Sequence, residues 1–163
     1  MLIKLKNKDT LKFDDFKFKC CIGKNGIKQN KFEGDKSTPK GTFKIGLVYY
    51  RADRIKKPNT LIKLKVIKPD MAWCSDPKSK FYNKEIKINK LINHERLYRK
   101  DYKYDIFLVI KYNYKKIKKG LGSAIFLHLT KNYQPTAGCI ALKKKDFLIL
   151  LRLINTKTKL RIS

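Results

Sequence analysis

Acidic residues are scarce in this chain. Asp and Glu supply 13 of its 163 residues against 41 Lys and Arg, so the formal net charge is +28. Arginine is scarce too, with six in all, at positions 51, 54, 96, 99, 152 and 161. Arg is the preferred reader of phosphates and base edges, so a scattered lysine excess supports non-specific attraction to polyanions and speaks against specific nucleic-acid recognition. No apolar run approaches the ~18 residues of a membrane-spanning helix. The start, Met1 to Lys8, lacks the apolar stretch of about 7–15 residues that a secretory leader carries. The expectation is a protein that stays in the cytoplasm, leaves by another route, or has already lost a leading segment. Four cysteines, at 20, 21, 74 and 139, are too few for a disulfide framework and contain no Cys-x-x-Cys. With two histidines they offer no paired-ligand spacing for zinc, so neither metal nor cofactor is expected.

Hydrophobic residues make up 42% of the chain and aromatics 12%, enough for a sizeable core. No repeat or Pro/Gly-rich linker divides the sequence, so residues 1–163 are expected to form one domain. Leu2 to Lys6 alternates weakly and suits an edge strand. Phe16 to Ile22 alternates clearly, which would send Cys20 and Cys21 to opposite faces. Gly23 to Gly26 is a turn around Asn25-Gly26, and residues 34–41 form a loop. Strands are predicted over 42–50, 61–67, 105–112, 124–129 and 159–162. Residues 68–104 show little regular pattern and read as a long insertion, a kind of segment that is often functional. Phe147, Leu148, Leu150, Leu151 and Ile154 form a helical stripe, predicting one helix over about 143–155. The whole is mainly β, with one clear helix.

The chemistry concentrates between Ser123 and Leu142. His128 stands alone on the apolar run Ala124-Ile-Phe-Leu-His-Leu129. Cys139 follows 11 residues later, after the turn Pro135-Thr136-Ala137-Gly138. That spacing allows a return that brings thiol and imidazole together. A thiol attacks carbonyls once an imidazole takes its proton, and the same imidazole then protonates the leaving amine. The unperturbed pKa of histidine suits both roles near neutral pH. Cys20, Cys21 and Cys74 have no such neighbour in sequence and read as packing residues.

Thr136-Ala-Gly-Cys-Ile-Ala-Leu142 resembles the Ser/Thr-His-Gly-Cys-hydrophobic-Arg/Asn signature of L,D-transpeptidases with a YkuD-type catalytic domain. Ile125-Phe-Leu-His128 resembles that family's strand carrying the catalytic histidine, and Thr38-Pro39-x-Gly41-x-Phe43 its Thr-Pro-x-Gly-x-Phe element. The resemblance runs from about residue 16 to 155 and is strongest to small stand-alone proteobacterial-type members. Trp73-Cys74-x-Asp76-Pro77, Tyr82-Asn83, His94-Glu95-Arg96-Leu97 and Tyr104-Asp105 share it. The chain departs from the pattern at Ala137, where His is frequent, at Ala141, where Arg or Asn is usual, and in its shorter His-to-Cys spacing.

The resemblance implies a YkuD-type β-sandwich acting on peptidoglycan stem peptides, in the cell envelope. It implies Cys139 as nucleophile, His128 as base and then acid, and the N–H groups of Gly138 and Cys139 as oxyanion donors. A backbone carbonyl or a nearby hydroxyl would orient the imidazole. His94, Tyr104, Thr136 and Ala137 are candidates to meet substrate, while Trp73, Tyr104 and Asp105 also suit plain packing. Transfer to a second stem makes the protein a transpeptidase. Transfer to water makes it an L,D-carboxypeptidase or endopeptidase. A non-catalytic basic module is the third reading, and the His128/Cys139 pair disfavours it. The resemblance further implies that carbapenem-type β-lactams acylate Cys139.

Overall fold

The computed structural model describes all residues, 1–163. Lysine alternates with apolar residues in the first three strands, and this sets which face is buried. Strand β1 is Leu2–Lys6, β2 is Thr10–Phe13 and β3 is Phe16–Cys21, joined as an antiparallel meander. Ile3, Leu5, Leu11, Phe13, Phe18 and Cys20 point into the core, while Lys4, Lys6, Lys12, Lys17 and Lys19 face water. Two short strands follow, β4 (Ile27–Lys28) and β5 (Thr38–Pro39), paired in parallel. The long β6 is Gly41–Tyr50, and β7 is Leu64–Val66.

Residues 68–104 are more regular than their sequence suggests. They hold β8 (Met71–Cys74), β9 (Glu85–Lys87) and β10 (His94–Arg96), a three-stranded antiparallel sheet with β8 central. Strands of three or four residues are too short for an alternating period to register. Then come β11 (Ile106–Ile110), β12 (Phe126–Leu129), β13 (Ile140–Leu142), helix α1 (Lys144–Leu153) and β14 (Lys159–Ile162).

The main sheet runs β11-β12-β13-β3-β2-β1-β14-β6-β7. Residues 41–44 of β6 pair with β14, while Ile45, Val48, Tyr49 and Tyr50 pair with β11, so the sheet closes on itself. The expected mainly-β fold, with one helix directly after the Cys139 segment, is what the chain adopts. One expectation needs correcting. Strand β1 is interior rather than an edge, because the C-terminal β14 lies parallel beside it. A pairing between the two ends of the chain leaves no local signal.

One core of 26 buried residues fills the closed sheet, and α1 adds Phe147, Leu150 and Leu151 to it. Burying three such side chains stabilises by roughly 1.5–3 kcal/mol each. A second core lies between the outer face of β11 and β12 and the small sheet. Its centre is aromatic: Tyr49 stacks on Phe107 at 4.8 Å, Phe107 on Phe126 at 4.5 Å, and Trp73 meets Phe126 edge-on at 5.1 Å. Arginine ties the loops at one end of this layer. Arg51 clasps Asp53 and the Arg99 carbonyl, and Arg54 clasps Asp105 and the carbonyls of Lys100 and Asp101. The buried Arg51 grips both oxygens of Asp53, a bidentate geometry that fixes a loop more firmly than a single surface ion pair does.

Candidate active site

Alternation along β12 and β13 decides what meets what. Ile125, Leu127 and Leu129 enter the main core, and so do Ile140 and Leu142. Ala124, Phe126, His128, Cys139 and Ala141 are therefore left on the other face, toward the aromatic layer. The two strands are parallel, with Leu127 opposite Ile140 and His128 opposite Ala141. His128 and Cys139 thus share one face of neighbouring strands, one pleat apart, and both line one cleft of about 480 Å³. Two backbone groups of the β12 entry hold the Cys139 sulfur. The thiol donates to the Ala124 carbonyl at 3.2 Å, and the Phe126 N–H donates to Sγ at 3.3 Å.

The entry is bent to do this. Ala124 has φ +51°, a left-handed conformation that an alanine adopts only when its surroundings impose it. Asn83 imposes it. Its Oδ1 accepts from the Ala124 N–H at 3.0 Å and from Trp73 Nε1 at 2.9 Å. Its amide donates to the carbonyls of Tyr112 and Asn113. Every polar site of this buried side chain is used for positioning.

The turn before Cys139 is built by hydroxyls. Thr136 Oγ1 donates to the Cys139 carbonyl at 2.6 Å and accepts from the Gly138 N–H at 3.1 Å. Thr38 Oγ1 accepts from the Gly23 N–H and donates to the Gly138 carbonyl, both at 2.9 Å. This gives the Thr38-Pro39-x-Gly41 segment its purpose, since its threonine locks the cysteine turn from 100 residues away. Gly138 has φ +140°, and a Cβ there would sit 2.8 Å from the Ser37 carbonyl oxygen, so only glycine fits. Ser37 is itself anchored by Lys31. The Lys31 ammonium, almost fully buried, meets Asp35 Oδ1 at 2.5 Å and the Ser37 carbonyl at 2.5 Å. Burial alone would raise the Asp35 pKa, but hydrogen bonds from Lys31 and Ser37 bring it down to about 2.

Both reactive groups rest neutral. Burial, with the Glu95 carboxylate adding to it, pushes the Cys139 thiol up to about 12. Burial brings His128 down to about 4, helped by Lys103 and Arg99 and opposed by its bond to the Leu129 carbonyl. The histidine is thus displaced from the near-neutral value expected of it, and no thiolate–imidazolium pair is formed in advance. His128 Nδ1 donates to the Leu129 carbonyl at 2.9 Å, because a carbonyl only accepts. Nε2 then carries the lone pair. It has no partner within the chain, and no fully buried side-chain nitrogen is unsatisfied, so Nε2 opens onto the cleft. The Leu129 carbonyl thereby fixes the orientation of the imidazole.

A pH dependence of stability follows. Between 6.5 and about 4 the unfolded chain binds a proton at His128 that the folded chain refuses. The stability linked to His128 is whole above the unfolded value and is lost as pH falls toward 4, by about 3 kcal/mol in total. The fall in urea midpoint from pH 7.5 to pH 4 should therefore be larger in wild type than in His128→Gln, which removes this contribution.

The substrate-contact candidates separate. Tyr104, Thr136 and Ala137 line the cleft. Ala137 is exposed there, whereas the Thr136 hydroxyl is committed to the turn and the Tyr104 hydroxyl to Glu95. His94 is a correction. It does not line the cleft, because alternation along β10 turns Glu95 inward and His94 away, with its Nδ1 2.6 Å from the Ile92 carbonyl. The oxyanion assignment narrows as well. The Gly138 N–H is held by Thr136 in the resting turn, while the Cys139 N–H has no partner within the chain. Ala141 is fully buried directly across from His128, where it offers the imidazole no polar contact.

Glu95, Glu33 and Arg99 also face the cleft, and none stands out in the sequence as a site residue. Their signal is weak, since each lies in a short charged stretch that reads equally well as solvated surface. The other cysteines stand apart. Cys20 belongs to the main core, and Cys21 contacts Thr130 and the Gln134 carbonyl on the opposite face of β3. No cluster of three or more His, Cys, Asp or Glu is arranged to hold a metal ion.

No curated protein and no solved structure matches the chain. The family model described as YkuD, L,D-transpeptidase catalytic domain, matches residues 3–162. That span takes in the closed sheet, the small sheet and the Cys139 turn together, and the chain belongs to the YkuD-type L,D-transpeptidase family.

Proposed function

We propose that this protein is a peptidoglycan L,D-transpeptidase that joins stem peptides through a thioester on Cys139. The observation that carries the reading is the sulfur itself: held by the Ala124 carbonyl and the Phe126 N–H, it opens on the cleft that His128 also lines. As Sγ attacks a carbonyl beside an L-configured centre, its proton passes to His128 Nε2. The developing oxyanion meets the unpartnered Cys139 N–H. His128 then gives the proton to the leaving amine, the peptide C–N bond breaks, and the acyl group stays on sulfur. An amine of a second stem attacks this thioester, a new C–N bond forms and the thiol is restored. Neutral resting groups suit this sequence, because the proton moves only when substrate has filled the cleft. Such a substrate places the work of the protein in the cell envelope.

Incubation of the purified protein with stem tetrapeptides, read by mass spectrometry, tests this function. Cross-linked dimers lacking the terminal residue of the donor support it. Shortened monomers alone would assign the protein to the hydrolytic side of the same chemistry, and unchanged peptides would remove both.

A further inference from the structure

A thioester needs an acceptor, and His128 and Cys139 do not provide for one. An amine reaches the protein as an ammonium ion near neutral pH and cannot attack until it loses a proton. Two carboxylates face the cleft, Glu33 and Glu95, and Glu95 is the one tied through Tyr104 to His128, placed to bind such a cation and take that proton. Glu95 lies on β10 opposite Trp73, and its side chain faces the cleft that Cys139 lines. Oε1 accepts from the Tyr104 hydroxyl at 2.5 Å and stands 3.9 Å from Arg99 Nη1. Oε2 has no partner in the chain. No buried side-chain oxygen is left unsatisfied, so Oε2 is open to the cleft. Tyr104 packs edge-on against His128 with ring centroids 5.3 Å apart, which fixes the carboxylate beside the reactive pair.

We propose that Glu95 is the acceptor-side base, binding the ammonium of the incoming amine through Oε2 and taking one of its protons. The proposal rests on the acyl-enzyme reading above and deepens it. The ammonium gives one proton to Glu95, whose carboxylate becomes a carboxylic acid. The freed nitrogen lone pair attacks the thioester carbonyl, the C–N bond forms and the C–S bond breaks. The second amine proton passes through His128 Nε2 to the departing sulfur, and Glu95 returns its proton to water.

The surroundings suit the task. Burial raises the Glu95 pKa above the usual carboxylate range, and the Glu33 carboxylate, also on the cleft, adds to this. The Tyr104 hydrogen bond and Arg99 pull it back. Lys103 faces the same cleft, as do Cys139 and His128, both neutral at rest. A carboxylate whose pKa is raised by burial takes a proton more readily than an ordinary one.

The experiment uses the full chain with a donor tetrapeptide whose side-chain amine is acetylated and a separate acceptor whose amine is free. Transfer and hydrolysis are counted together by mass spectrometry, and acylation of Cys139 by a carbapenem is timed alongside. Glu95→Gln is expected to lower the transfer-to-hydrolysis ratio about tenfold or more without slowing acylation, because the lost carboxylate opposed thiolate formation. The acid limb of the wild-type transfer rate should vanish in Glu95→Gln and return in part in Glu95→Asp. Tyr104→Phe removes a hydrogen bond that lowers the Glu95 pKa, so it should move that limb to higher pH. A wild-type ratio and an unmoved limb in these variants would overturn the role of Glu95 while leaving the thioester reading intact. Failure of the wild-type protein to acylate at Cys139 would overturn both.

Discussion

Replacing Cys139 with alanine is expected to abolish turnover of stem tetrapeptides, by at least about a thousandfold, while the protein stays folded. Rate is lost because no other thiol lies on the cleft. The fold is kept because the sulfur makes only two weak hydrogen bonds, to the Ala124 carbonyl and the Phe126 N–H, and its loss from the aromatic core costs no more than a modest packing term. Ala124 itself lines the cleft, where water can take the place of the thiol on its carbonyl. Cys20→Ala, Cys21→Ala and Cys74→Ala serve as controls. Each removes a buried sulfur from packing and should leave turnover near the wild-type rate, with modest losses of stability. Rates from purified variants, alongside thermal midpoints, check all four.

Lys31→Met should produce the largest loss of stability, about 3–5 kcal/mol. The ammonium and the Asp35 carboxylate are 3% and 1% exposed, so deleting one strands the other without water. The damage should also travel. Lys31 holds the Ser37 carbonyl, that carbonyl packs against Gly138, and Gly138 sets the direction of Cys139. Turnover should therefore fall even in the fraction that remains folded. Removing both charges together, as Lys31→Met with Asp35→Leu, should recover much of the stability but not the turnover, because the Ser37 carbonyl still loses its anchor. Urea unfolding of the single and double variants measures the first effect, and rates well below the unfolding midpoint measure the second.

The sequence carries the chemistry of this site better than its framework. His128 and Cys139 are legible because reactive residue types sit in short apolar runs with a Thr-x-Gly turn between them. The helix is legible from the stripe of Phe147, Leu150, Leu151 and Ile154. The interior position of β1 is not, because its partner β14 lies more than 150 residues away. The small sheet in residues 68–104 escapes a pattern reading because its strands are three or four residues long. Glu95 and His94 are hard to tell apart for a related reason: they are adjacent, and only the pairing of β10 with β8 decides which faces the cleft. The positions of the histidine and cysteine pKa values are also hidden, since they are set by burial under a layer of Trp73, Tyr104 and Phe126 that comes together only in the fold. In sequence Lys31 is one lysine among many, and only the fold reveals that it is buried.

The most direct test of the central claim is covalent trapping read by intact-protein mass spectrometry with peptide mapping. A strained β-lactam amide should acylate the same sulfur as a stem peptide does, because ring opening accompanies formation of the thioester. Treatment with a carbapenem is predicted to add one drug mass to the wild-type protein, located on Cys139. Cys139→Ala should show none, and His128→Ala should gain it slowly, because its thiol, held up near 12, has lost the group that takes its proton. A drug adduct mapped instead to Cys20, Cys21 or Cys74, with Cys139 unmodified, would contradict the assignment of the nucleophile.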